Sequence, residues 1–275
     1  MAKQLQRELN NRHIQLIAIG GAIGTGLFLG SGQTISLTGP SLLFTYMLIG
    51  IVLFAFMRAL GELLLSGPFG GFVIGWTYWV CWIVSSMSDL TAMGQYFAYW
   101  YPQVPHWLTV LFIVLLLISF NLLGARLFGE LEFWFSIIKV VTIITMVIVG
   151  LVLIFLSFKT EYGHASFGNL IHHGGMFPHG AAGFLMSFQI AVYSFIGIEL
   201  IGVTAGETKN PEKTIPKAIN NVPIRILLFY IGGLLVIMSV IPWFKVDPDS
   251  SPFVKLFTLI GVPFAAGIVN FVVLT

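Results

Sequence analysis

Three ionisable side chains stand in stretches that are otherwise apolar: Asp89 in VSSMSDLTAMG, Lys139 in IIKVVTII and Glu199 in SFIGIEL. A charge inside a membrane helix is expensive, so each is a functional candidate whose partner must be found. A carboxyl at Glu199 can tie helix to helix and still respond to protons. Lys139 must snorkel to the interface near Glu130, about two turns away, or pair, or lose its proton. Its functional reading is a fixed ammonium in the place of a bound sodium ion, gaining or losing a proton during a transport cycle. Asp89 has Ser85, Ser86, Ser88 and Thr91 as polar company, which suits a structural hydrogen-bond network and a direct part in transport equally well.

Backbone chemistry is suggested at two further places. Gly20, Gly21, Gly24 and Gly26 fall within the seven residues GGAIGTG, between Ile14–Ile19 and Leu27–Leu29. Each glycine costs a helix interior about 1 kcal/mol relative to alanine, so this run is expected to unwind. Unwinding at Gly24, Thr25 and Gly26 leaves amides at the start of a half-helix, where free donors and the positive dipole end suit a carboxylate. Thr25 adds a hydroxyl. The plainer reading is close helix packing through small residues. A second interruption is expected over Tyr193, Ser194, Phe195, Ile196 and Gly197, just ahead of Glu199. Bare backbone within a membrane is tolerated only against protein or a polar cavity, so a pair of breaks points to a solute or ion site near the midplane.

The elements that must position these groups are membrane helices. Of 275 residues, 57% are hydrophobic and only 9% charged, against roughly 25% charged in soluble domains, and the mean hydropathy is +0.95. Apolar runs of about 20 residues recur, giving expected spans near 14–37, 41–65, 71–100, 106–123, 131–157, 180–206 and 224–243, with an eighth starting near Phe253. A polar N-terminal tail over 1–13 precedes a first helix read as uncleaved, since no small-residue cleavage site follows it before Gly39 and Pro40. With the N-terminus inside, Lys3, Arg7, Arg12, Arg58, Arg126, Lys209, Lys213, Lys217 and Arg225 fall on the cytoplasmic side, and Lys159, Lys245 and Lys255 outside. That bias predicts a multi-pass cell-membrane protein with a cytoplasmic N-terminus.

Other features carry ordinary readings. A net charge of +2 gives no support for nucleic acid as a partner, and the single Cys81 builds neither a disulfide nor a cysteine metal site. No nucleophile–base pair or metal-ligand set stands in the spans, so no enzyme and no cofactor is expected. Tyr96, Tyr99, Trp100, Tyr101 and Trp107 read as an interfacial aromatic belt rather than a cation cage. His164, His172, His173 and His179 read as a solvated outer loop rather than a metal site. Arg58 and Glu62, four residues apart near a helix end, read as a structural pair. GETKNPEKTIPKAI, from Gly206, is a cytoplasmic segment whose lysines suit anionic headgroups of the lipid bilayer.

Taken together, NRHIQLIAIGGAIGTGLFLGSG, GWTYWVCW, GELEFWFSIIKVV and SFIGIELIGVTAGETKNPEKTIPKAI resemble the bacterial amino acid permeases of the amino acid, polyamine and organocation superfamily, most of all the D-serine, D-alanine and glycine permease group, with aromatic amino acid permeases nearby. The resemblance implies an all-α integral membrane protein with a LeuT-like inverted-repeat transporter fold. Its first five-helix repeat would occupy 14–157 and the start of the second 180–275, helices 1 and 6 being discontinuous. It implies import of a small neutral amino acid with protons. Ala22, Gly24, Thr25 and Gly26 would take the carboxylate side, Tyr193 to Gly197 the amino group and side chain, Glu199 gating, and Lys139 the sodium position; Asp89 is added to the coupling set from its place in the third span and not from the resemblance. Relatives carry a cytoplasmic stretch after GELLLS where Ser66 here runs straight into Gly67 and Pro68, and they continue to about twelve helices. An inactive half-transporter or membrane interaction fragment is therefore the alternative, and an aromatic or other neutral amino acid the alternative substrate.

Overall fold

A computed structural model of the chain describes residues 20, 23–64, 68–122, 125–198, 216–217, 219–261 and 263–274. It is built of helices. In chain order they are α1 (Thr25–Phe28), α2 (Gly30–Thr38), α3 (Leu42–Leu64), α4 (Pro68–Ala98), α5 (His106–Asn121), α6 (Ala125–Phe155), α7 (Gly180–Tyr193), α8 (Val222–Arg225), α9 (Gly233–Val240), α10 (Pro252–Leu259) and α11 (Pro263–Leu274). A π-helical stretch, Ile226–Gly232, joins α8 to α9.

Length follows from apolar content. The 23 residues of α3 measure about 35 Å and the 31 of α6 about 46 Å, against a hydrocarbon core of about 30 Å. Among the described residues, Gly30–Ala59 and Glu130–Phe155 are both long and apolar enough to cross a membrane, and His106–Phe120, Gly180–Tyr193 and Ile226–Val240 are shorter apolar helices. Helix α4 is as long as α6, but Trp76, Tyr78, Trp79, Trp82 and Ser85–Ser88 dilute its aliphatic character. The outer faces carry exposed Ile51, Val52, Trp76, Trp79, Phe112, Leu115, Val141 and Ile148. Such an apolar surface is suited to lipid.

The expected eighth span is two helices rather than one. The chain turns at Gly261, whose φ of +74° is the left-handed region that favours glycine, and Pro263 starts α11 where its missing amide costs nothing. The aromatic belt also needs a correction. Tyr99, Trp100 and Tyr101 are exposed, but Tyr96 is buried, and its carbonyl accepts a 2.8 Å hydrogen bond from Asn270 Nδ2 on α11. It lies within α4, two residues before the helix end, on the face that meets α11. Arg58 lies over the Phe54 ring at 5.2 Å, and the side chain of Glu62, its expected partner, lies outside the described residues.

Helix α7 is central, packing against α1, α2 and α3, while α6 packs on α9. The loop between α6 and α7 is folded. Its strands Lys159–Thr160 (β1) and Gly163–His164 (β2) pair antiparallel. Ser166 N and Asn169 Nδ2 both donate to Ser239 O, at 3.0 and 2.8 Å, satisfying a carbonyl in the last turn of α9. The loop histidines do not converge: His164 Nδ1 contacts Ser157 O, while the His173 and His179 rings pack on Phe244 and Trp243. Lys255 Nζ reaches Glu161 Oε1 at 3.3 Å and ties this loop to α10.

Two predictions follow from the packing. A Cβ on Gly150 of α6 would lie 1.9 Å from Val236 Cγ1, and a branched valine cannot swing aside, so Gly150→Ala lowers stability by about 1–3 kcal/mol. Gly75→Ala, with open space around it, keeps or raises stability; thermal unfolding in detergent separates the two. Glu161 is held below the usual carboxylate range by hydrogen bonds from Tyr162 and then Lys255. A lowered folded pKa gives stability that is present above the unfolded value and lost as pH falls through the folded one. The Tm difference between the wild type and Glu161→Gln is therefore small at neutral pH and vanishes in acid.

Candidate functional site

The first glycine run contains a backbone departure. Gly24 is extended, with φ −126° and ψ −162°, and α1 starts at Thr25. Leu27 N and Phe28 N donate to Gly24 O, each at 3.1 Å, so the amides of Thr25 and Gly26 precede the first bonds of this turn. The second stretch departs where α7 ends at Tyr193. From there to Ile198 the chain turns through tight bonds, including Phe195 N to Val192 O and Ile196 N to Tyr193 O, and Gly197 has φ +107°.

These two places touch. A Cβ built on Gly26 would lie 2.5 Å from Ser194 Cα and 2.9 Å from Ser194 N. Only glycine permits that approach, because the obstacle is backbone and cannot move aside. Ser194 is then held from the other side. Tyr230 OH donates to Ser194 O at 2.8 Å, and Tyr46 OH shares a 2.8 Å hydrogen bond with Ser194 Oγ. Phe195 stacks on Tyr230 at 4.6 Å and 9° and is buried. Tyr46 and Tyr230 were missed from sequence. Their signal was a phenol in a strongly apolar span, since a buried hydroxyl needs a partner.

Around this junction lies a cavity of about 50 Å³, lined by Gly24, Thr25, Gly26, Trp82, Ser85, Asp89, Tyr193, Ser194 and Ile196. One water needs roughly 10–15 Å³ by the same measure, so the space holds a few small groups. Trp82, Ser85 and Asp89 are spaced i, i+3, i+7 and form one stripe of α4. Asp89 Oδ1 accepts from Thr25 Oγ1 at 2.5 Å and from Tyr193 OH at 3.2 Å. One carboxylate thus joins the start of α1 to the end of α7.

Of the residues expected from sequence, the structure brings Gly24, Thr25, Gly26, Asp89, Tyr193, Ser194 and Ile196 to one cavity wall. Thr25 was expected to offer its hydroxyl to a ligand, but that donor is engaged by Asp89. Phe195 faces the Tyr46 and Tyr230 cluster, and Gly197 follows it without lining the cavity. Lys139 is half-buried on α6, outside the lining, within electrostatic reach of Glu132 first and Asp89 second. One turn before it, Ser136 abuts Gly20, where a Cβ would meet its hydroxyl. Ala22 and Glu199 lie outside the described residues. Trp82 was missed, since GWTYWVCW entered only as a motif of the resemblance, and Ser85 was noted only as polar company of Asp89; the i, i+3, i+7 relation to Asp89 marks both.

Gly26→Ala forces the two backbones apart and is expected to abolish ligand binding while the outer helices stay folded, a separation that binding assays and circular dichroism together resolve. Tyr230→Phe leaves Ser194 O without its donor, at a cost of about 1–3 kcal/mol, seen as a lowered Tm that a ligand bound at the junction partly restores.

Comparison with known proteins agrees on kinship. A family model described as amino acid permease matches residues 13–275. The chain is 57% identical to an uncharacterized transporter of Bacillus subtilis (strain 168), covering 98% of this chain and 62% of that protein. It is 53% identical to the D-serine/D-alanine/glycine transporter of Escherichia coli (strain K12), covering 99% of this chain and 62% of the relative. It is also 45% identical to a serine permease of Lactococcus lactis subsp. cremoris (strain MG1363), over 99% of this chain and 64% of that one. The chain therefore spans just under two thirds of these relatives. The first two matches extend over 286 and 289 residues, more than the 275 of the chain, so the relatives hold extra residues inside the matched region.

Proposed function

We propose that this chain, which belongs to the amino acid permease family, carries the substrate site of a secondary transporter that imports a small neutral amino acid with protons. The observation that supports this best is the contact of the first turn of α1, just after the extended Gly24, with the end of α7 at Ser194, beside a small polar cavity in a chain built of apolar helices. In this reading the fold is the LeuT-like inverted repeat. Residues 14–157 form the first repeat and residues from 180 begin the second, with helices 1 and 6 interrupted at Gly24 and after Tyr193. The N-terminus is cytoplasmic, as the basic residues favour.

The ligand's carboxylate is held by the amides around Thr25 and Gly26, and its amino group by the Tyr193–Gly197 segment. Gly24 keeps side-chain bulk away, and Ala22, outside the described residues, is assigned to the same carboxylate side. A cavity of about 50 Å³ favours glycine, alanine or serine over an aromatic amino acid. The names of the relatives, a D-serine/D-alanine/glycine transporter and a serine permease, point the same way.

Coupling runs through Asp89, Lys139 and Glu199. Asp89 accepts from both Thr25 and Tyr193 and so ties the two stretches together. Lys139, within electrostatic reach of Glu132 and Asp89, takes the place of a bound sodium ion and gains or loses its proton during the cycle. Glu199 serves as the gating carboxyl.

Proteoliposomes holding the transporter are expected to accumulate labelled glycine, D-alanine or D-serine above the outside concentration when an inward proton gradient is imposed, and to stop when a protonophore collapses it. Lys139→Ala with Glu199→Gln should leave only equilibration. Accumulation unchanged in that double variant removes the coupling roles assigned to the pair.

A further inference from the structure

We infer that Trp82 is the residue that reads the ligand's side chain, its indole N–H being the donor for the side-chain oxygen of serine. The inference rests on the amino acid site proposed above and deepens it. Trp82 lines the cavity, yet its Nε1 is buried with no hydrogen-bond partner among the described residues. A buried donor left unpaired costs free energy that is recovered when an acceptor arrives. Its ring packs edge-on against Tyr78, with centroids 5.9 Å apart at 67°, which limits the ring's freedom to turn toward other acceptors.

Place in the stripe decides which end of a ligand Trp82 meets. Asp89 stands at the junction with Thr25 and Tyr193, where the backbone amides gather and the ligand's carboxylate and amino group belong. Trp82 is two turns away, about 10 Å along the helix axis, with the buried Ser85 between them. That end of the cavity is left for the side chain. A hydroxyl oxygen there accepts the indole proton; the methyl of alanine or the hydrogen of glycine leaves it orphaned. Sites built around a donor of this kind discriminate strongly against ligands that lack the matching group.

The test measures equilibrium binding of labelled glycine to the purified 275-residue chain in lipid nanodiscs, competed by serine, alanine and 3-fluoroalanine of the enantiomer that binds. In the unmodified chain serine outcompetes alanine, and 3-fluoroalanine, nearly the shape of serine but a poor acceptor, competes roughly tenfold less well than serine. In Trp82→Phe the ratio of serine to alanine affinity falls roughly tenfold, whatever happens to each affinity alone. A ratio that does not change, or 3-fluoroalanine equal to serine in the unmodified chain, overturns the assignment while leaving the amino acid site standing. Absence of saturable binding by any of these ligands in the unmodified chain overturns the site and the role of Trp82 together. The fluoroalanine comparison needs no variant, so a misfolded Trp82→Phe does not shelter the idea.

Discussion

The structure depends on one contact, the approach of Gly26 to the backbone of Ser194. Inside a membrane a backbone that leaves the helix must find partners at once, because lipid offers none. Here each departure is answered by the other. Gly24 starts a new turn, Gly26 removes the side chain that would hold the stretches apart, and Ser194 presents a carbonyl and a hydroxyl that Tyr230 and Tyr46 complete. Remove either tyrosine hydroxyl and a buried polar group of Ser194 loses its partner. The aromatic stack of Phe195 on Tyr230 then fixes the direction in which the chain leaves the junction.

That constraint explains what could be read in the sequence. GGAIGTG was legible because glycine in an apolar run contradicts helix propensity, and such a local conflict needs a compensating reason. Asp89 and Lys139 were legible because a charge among aliphatic residues is a cost without an evident return. Most helices were legible from apolar length, with ends within a few residues. The eighth span was misread as one piece because hydropathy does not register the turn at Gly261.

The partners were not legible, and the reason is physical. Tyr46, Trp82 and Tyr230 are apolar bodies with one polar atom, so a count of hydrophobic residues treats them as lipid-facing or as belt. Their significance lies in where that atom points, which depends on helices 36 to 148 residues apart in the chain. Thr25 shows the converse. Its type and place suggested a free donor, but a carboxylate 64 residues away claims it. Local sequence names the groups that can form hydrogen bonds; tertiary packing decides which of them are already spent.

From this division of spent and unspent groups comes the strongest argument about the proposed site. Tyr46, Tyr230 and the Thr25 hydroxyl are committed to holding the junction, so they cannot also select a ligand. Among the described residues the indole N–H of Trp82 is a lining donor without a partner, and the amides of Thr25 and Gly26 precede the first bonds of α1. These are donors, placed where α1 begins and on the α4 stripe that faces it, and a small zwitterion with an oxygen at each end is complementary to such a set. Asp89 belongs to neither group. It holds the junction, accepting from both sides of it through Thr25 and Tyr193.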